Sequence, residues 1–403
     1  MNILLITYDI SPYRGSEASV SWNYVTNMSA TNKIIVLYGK GKDEIQSYLQ
    51  DNSIVNVQFI NIPFKAAKGC GLIMDIRYNL NYRQWHYHTY LRAKEILNKY
   101  HIDIIHYLNP IGFKEPGFCW KIKNIPYVWG PIQGVENRPF ALYPALSTKG
   151  KINAIVRRII HNAMLHLLPR VKKALRRTNV VFAATPNTVK QLKTIHKKDS
   201  IYLPENGIIN INRRIPISYD GSCLNLIWVG AIGERKALIL LIEALHKVKS
   251  QNWHLDVCGD GSERHKLQAK AIEYGINDNI SWHGNIPRDK VQNLFANAHL
   301  HVISSLGEGN PTTIWEAMSW AVPTMTLDHC GMSGVVCNKC GIKIPIISYS
   351  QVITDMANNI KQIIDKPEII NKLSEGVLYC SEDYMWTKRI EIFNSIYKKI
   401  ANK

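Results

Sequence analysis

No stretch of this chain strings together the roughly 20 apolar residues that a membrane-spanning helix needs, so no bilayer span is predicted in its 403 residues. The opening stretch, MNILLITYDISP, lacks a basic leader and a small-residue cleavage site, and Asp9 interrupts it. It reads as a buried first strand, and the expected location is cytoplasmic. Cysteine is sparse: eight over this length exclude a disulfide scaffold. His329, Cys330, Cys337 and Cys340 gather a single CxxC, without the paired ligand spacing of a zinc site. Reduced structural thiols and no metal are expected. No GxGxxG opens either half, which argues against a nicotinamide dehydrogenase. No internal repeat or low-complexity tract stands out.

Acid is missing where base is dense. Residues 137–198 contain no Asp or Glu but hold Arg138, Lys149, Lys151, Arg157, Arg158, Arg170, Lys172, Lys173, Arg176 and Arg177. Most of the net charge of +18 resides there. Such a segment needs an anionic partner or tolerates self-repulsion.

What is present reads as α/β. The length exceeds one ordinary core and predicts two domains. From Leu224 onward, apolar strands (LNLIWVG, HLDVCG, ISWHG, HLHVISS, PTMTLD) alternate with amphipathic helical stretches. This is the pattern of a parallel sheet with helices on both faces. NILLITY, KIIVLYG, VNVQFINI, IDIIHYL, IPYVWG and NVVFAAT repeat it more loosely in the first half. Two Rossmann-like, doubly wound domains are predicted: 1–205, with a terminal helix at about 384–401 packing back on it, and 206–383.

In SSLGEGNPTTIWEAMSWAVPT, residues 304–324, Glu308 occupies a turn after a strand and Glu316 follows eight positions later. Asn310 is a good N-cap, Pro311 a good first helical residue, and Thr312 follows. Free amides at a helix start attract phosphate. Glu316, about 1.5 turns inside, can accept two hydrogen bonds from adjacent sugar hydroxyls. An exposed turn glutamate and a helix-surface one fit these two residues equally when they are taken alone. In GAIGERKAL, after Gly230, Arg235 and Lys236 can neutralise a diphosphate as fork and point charge. In CGDGSERHKL, Gly259 and Gly261 allow close backbone approach, while Asp260 also fits ordinary turn chemistry.

These motifs resemble the retaining glycosyltransferases of family 4, which have the GT-B fold. Glu308 and Glu316 match that family's Glu-x7-Glu signature, and RK, GDG and HGNIP fall in the expected order. RGSEASVSW resembles the family's first loop, and IGFKEPGFCWKIKNIPYVWGPIQG a bacterial subgroup that makes surface polysaccharides, O-antigen or capsule. The resemblance implies two domains facing a cleft, with a UDP- or GDP-linked sugar as donor and no further cofactor or metal. Glu316 is then expected on the donor ribose and Glu308 on the transferred sugar. Arg235 and Lys236 would carry the diphosphate, with Gly230, Gly259, Asp260, Asn310, Pro311 and Thr312 around the donor. Gly15 and Ser16 would offer backbone amides. The implied chemistry is front-face substitution with retained anomeric configuration. Two positions depart from the pattern. Ala231 replaces an arginine common in relatives, and Leu108 stands where many carry a histidine near the sugar. His106, two residues earlier, is therefore a weaker catalytic candidate, and a packed strand-end histidine is the preferred reading.

Residues 151–177, KINAIVRRIIHNAMLHLLPRVKKALRR, predict amphipathic helices broken near Pro169. A basic amphipathic helix can lie on an anionic inner leaflet, each cation contributing ~1 kcal/mol. Residues 77–92 mix aromatics with arginines, as interfacial segments do. These features suggest a peripheral enzyme with a polyprenyl-diphosphate-linked acceptor; a core-packed helix with a solvated basic face is the alternative. A nucleotide-sugar epimerase is the competing enzyme class. A nucleic-acid-binding protein fits the charge, but no motif supports it and the cations are set among apolar residues.

Overall fold

The computed structural model describes residues 1–63, 76–248 and 252–402, with the backbone alone for 76–80. The chain divides into two compact units, residues 1–136, 159–207 and 386–403 in one and 137–158 with 208–385 in the other. Residues 137–158 thus cluster with the second unit, whereas the sequence division at 205 places them with the first.

The first unit holds strands β1 (Asn2–Asp9), β2 (Lys33–Lys40), β3 (Val57–Asn61), β4 (Ile104–Asn109), β5 (Tyr127–Ile132), β6 (Val180–Ala183) and β7 (Ile201–Tyr202). They form one parallel sheet in the order β3-β2-β1-β4-β5-β6-β7. Helices cover both faces, so β1 reads as an unbroken apolar run. Its side chains alternate between the faces. Ile3 and Leu5 pack with Trp22, Val25 and Phe393, while Leu4 and Ile6 pack with Trp85, Ile96 and Ile102.

The last helix, Trp386–Ala401, belongs to this unit. Trp386, Ile390, Phe393 and Tyr397 recur at helical spacing, and all enter the core beneath β1 and β4. Each such burial contributes about 1.5–3 kcal/mol. The break at Pro169 is present: one helix spans Thr148–Leu167 and the next, Pro169–Arg177, has the proline in its first turn. The aromatic segment 77–92 is partly packed into the core. In the helix Ile76–Leu97, Tyr82, Trp85 and His86 are buried in the first unit, leaving Tyr87 and Leu91 exposed. The side chains of residues 77–80 lie outside the described ones.

The second unit holds β8 (Leu224–Val229), β9 (Trp253–Cys258), β10 (Ile280–Gly284), β11 (Leu300–Ile303), β12 (Thr324–Leu327) and β13 (Gly341–Ile344). They too are parallel, in the order β10-β9-β8-β11-β12-β13. Among the described residues, no helix is long and apolar enough to cross a membrane.

Candidate functional site

In the second unit the chain builds outward from β8 through β9 to β10, then returns and builds the other way from β11. The loops leaving β8 and β11 therefore diverge, and a crevice opens at their carboxyl ends. Trp228, Val229, Lys236, Ser304, Ser305 and Thr313 line its floor. Two serines at the end of β11 stitch the loops together. Ser304 Oγ donates to Lys236 O at 2.8 Å, and Ser305 Oγ to Arg235 O at 3.2 Å. Trp228 Nε1 fixes Ser304 by donating to its hydroxyl at 3.1 Å. Ala237, with φ of 45°, turns the chain sharply after Lys236.

That stitching brings the doublet Arg235–Lys236 onto Glu308. Lys236 Nζ lies 2.7 Å from Glu308 Oε1, Arg235 Nη1 pairs with the same oxygen, and Arg235 also donates to Gly307 O at 3.3 Å. The Glu308 and Lys236 side chains are largely buried. Gly331 N donates to Glu308 O at 3.3 Å, and a Cβ on Gly331 would lie 1.9 Å from Gly309 O, so only glycine fits this approach. Gly259 is held likewise: a Cβ there would stand 1.9 Å from Gly230 O. Asp260 accepts from Gly261 N at 2.7 Å and pairs with Arg264 at 3.2 Å, which is turn chemistry.

The helix carrying the second glutamate is Thr312–Ser319, one residue later than the sequence suggests. Pro311 has extended backbone and occupies the cap, with no side-chain cap bond. This corrects the assignment of Asn310 as N-cap: its side chain is buried instead. Glu316 is largely buried one turn in and pairs with Arg288 at 2.9 Å. Burial pushes the Glu316 carboxyl above its ordinary value, and Arg288 pulls it back.

Two cations of this site escaped the sequence reading. Arg288 sits directly after HGNIP, at the start of the helix Arg288–Asn297, where the motif ended one residue short. Arg138 comes from the acid-free segment and lies against Gly307. Burial and then Arg157 and Arg235 hold its guanidinium below its ordinary value. Part of the basic run thus lies beside the Glu308 loop.

In the first unit the direction reverses between β1 and β4. Gly15 and Ser16 lie in the loop after β1, and Ser16 starts the helix Glu17–Met28 with φ of 58°. A Cβ on Gly15 would meet nothing, so packing does not require glycine there. Asn109, at the end of β4, ties this loop down by donating to Asp9 O at 2.8 Å and to Ser21 Oγ at 2.5 Å. Glu17 was not singled out from sequence. Burial pushes its carboxyl up to about 7, the Ile111 backbone pulls it down, and Glu205 and Asp9 push it further. A carboxyl titrating near neutrality suits proton transfer.

His106 lies inside β4, fully buried. Nε2 is 2.7 Å from Gly130 O and Nδ1 is 2.5 Å from the Tyr397 hydroxyl. Burial lowers its pKa to about 4. With both nitrogens engaged inside the core, it is a packing residue rather than the catalytic one the resemblance offered.

Residues 224–377 match the family model described as Glycosyl transferases group 1. The lipopolysaccharide 1,6-galactosyltransferase of Escherichia coli (strain K12) is 35% identical over 119 residues, 28% of this chain and 33% of that protein. The chain therefore spans about a third of the length of this curated relative. The solved lipopolysaccharide outer core galactosyltransferase WaaB, in its apo form, has a TM-score of 0.68 at 17% identity and covers 99% of this chain and 100% of its own. Anabaena HepE in complex with UDP and glucose has a TM-score of 0.62 at 13% identity, over 99% and 100%. Likeness at such identities speaks for the fold, which is GT-B with two Rossmann-like domains.

Proposed function

We propose that this chain is a retaining, metal-independent glycosyltransferase that moves a sugar from a UDP- or GDP-linked donor to a lipid-linked glycan in bacterial surface polysaccharide synthesis. The observation that carries this reading is the Glu308 carboxylate set against Arg235 and Lys236 at the β8–β11 reversal, with Glu316 beyond it. The relatives' names and the UDP complex of a similar fold support the same class.

In this reading Arg235, Lys236 and Arg138 offset the donor diphosphate, so its charge needs no cation from solution. As the sugar–oxygen bond breaks, charge builds on the departing phosphate, where these groups act most strongly. Glu316 holds the ribose hydroxyls and Glu308 a hydroxyl of the transferred sugar. The leaving phosphate takes the proton of the acceptor hydroxyl attacking from the same face, which retains configuration.

The acceptor side of the reading rests on the helix Thr148–Leu167. Ile152, Ile155, Val156 and Ile159 recur at helical spacing and are all exposed, beside exposed Lys149, Lys151 and Arg157. An apolar stripe flanked by cations suits the headgroup region of an anionic inner leaflet, where a polyprenyl-diphosphate-linked acceptor resides.

The test is incubation with a panel of UDP- and GDP-sugars and lipid-linked acceptors, with the product anomer read by NMR. Transfer with retention supports the reading. Inversion of configuration removes the retaining mechanism, and a donor converted to another sugar without acceptor indicates an epimerase instead.

A further inference from the structure

Three cysteines distant in sequence meet in the second unit, away from the crevice. Cys337 and Cys340 frame a turn between the helix Met332–Val335 and β13, and Cys380 is the penultimate residue of the helix Glu368–Ser381. Cys337 Sγ lies 3.6 Å from Cys340 Sγ and 3.7 Å from Cys380 Sγ, and all three sulfurs fall within 4.8 Å of one another. We propose that Cys337, Cys340 and Cys380 bind one thiophilic divalent cation of the zinc class.

The geometry fits such an ion. With metal–sulfur bonds of about 2.3 Å, ligating sulfurs of a tetrahedron stand about 3.8 Å apart. A disulfide needs about 2.05 Å, so any pair would have to close well inside its present separation, and one thiol would be left over. The turn is also shaped for thiolate. The Cys337 amide donates to Cys340 Sγ at 3.4 Å, and the amides of Lys339 and Cys340 serve the Cys337 sulfur. Each ligating thiol releases its proton as its bond to the metal forms.

Cys340 is buried, but Cys337 and Cys380 are partly exposed, which leaves an open side for entry and for a water as fourth ligand. Behind the sulfurs stand Trp315, Val336 and Val377, in the apolar cluster that also anchors the helix bearing Glu316. The ion would brace the start of β13 against the helix Glu368–Ser381. The cluster replaces the grouping suggested by sequence, in which His329 and Cys330 joined the CxxC.

Reduced, chelator-stripped protein is titrated anaerobically with Co²⁺ and then Zn²⁺. One equivalent of Co²⁺ is expected to give sulfur-to-cobalt charge-transfer and tetrahedral ligand-field absorption, both erased by Zn²⁺. Cys380→Ser and Cys337→Ser should each weaken binding at least about tenfold, and Cys223→Ser should leave it unchanged. Absence of the bands in the wild type overturns the proposal. So does full-strength binding in either cluster variant, or a thiol count two short in the reduced protein.

Discussion

Glu308 Oε1 lies 2.7 Å from Lys236 Nζ, although 72 positions separate the two residues. Arg235 reaches the same carboxylate. Under the proposed function, the group that holds the sugar would compete with the donor diphosphate for the two cations that offset it. Replacing Glu308 with Gln removes the competitor. UDP alone should then bind about threefold to tenfold tighter, as expected for ~1 kcal/mol of released pairing, while transfer falls by about a hundredfold or more for lack of the carboxylate. Calorimetry with UDP and a turnover assay separate the two effects. Weaker UDP binding would show that Glu308 is not a rival of the phosphates.

Glu316 and Arg288 form the second carboxylate–cation pair. Glu316→Ala is expected to lose donor binding by about tenfold to a hundredfold, since a hydrogen bond to a charged group contributes about 1.5–3 kcal/mol. Its circular dichroism should match the wild type. Unchanged donor affinity would remove Glu316 from the site.

Arg138 gives a sharper test, because nothing in its sequence surroundings points to the donor. Arg138→Ala should weaken UDP binding about fivefold or more and reduce its dependence on salt, as loss of a phosphate-facing cation does. Nucleoside without phosphate should bind both proteins alike. If the variant binds UDP as the wild type does, the phosphate-facing cations end at Arg235.

The pH dependence of stability follows from the buried histidines. The His106 pKa falls from 6.5 to about 4, and His86 and His301 are likewise lowered, to about 3. Their neutral forms are favoured in the fold, so the unfolded chain binds more protons below pH 6.5. The histidine contribution should therefore be fully present above about 6.5 and fall as pH drops toward 4, with His106 alone contributing on the order of 3 kcal/mol. Glu17, raised from 4.5 to about 7, acts in the opposite sense over the same range. Urea unfolding between pH 4 and 7.5 reads the slope. His106→Gln should flatten it, and an unaltered slope would mean that His106 does not titrate out of register with the unfolded chain.

The exposed stripe on Thr148–Leu167 predicts cosedimentation with vesicles containing anionic lipid but not with purely zwitterionic ones. Replacing Ile155 and Ile159 with Asp should abolish it without unfolding the chain, since both side chains are exposed. Failure of the wild type to bind anionic vesicles sinks the membrane reading and leaves the donor site untouched.

The sequence by itself determined what depends on neighbours along the chain. Strand–helix alternation, the helix break at Pro169, the Glu-x7-Glu spacing and the Arg235–Lys236 doublet are short-range patterns, and each one is present in the structure. Even there a local rule missed by one position: Asn310 has good capping chemistry, but packing buries its side chain and leaves the cap to Pro311. Tertiary structure alone decided which distant groups meet. Parallel sheets order strands by packing rather than by sequence, so loops far apart in the chain emerge side by side. That ordering put Lys236 on Glu308, set Arg138 against Gly307 and Arg288 on Glu316, closed Tyr397 over His106, and brought Cys380 to the CxxC. No periodicity or spacing encodes these encounters, because their separation is set by the topology of the sheet and not by the pitch of a helix or the pleat of a strand.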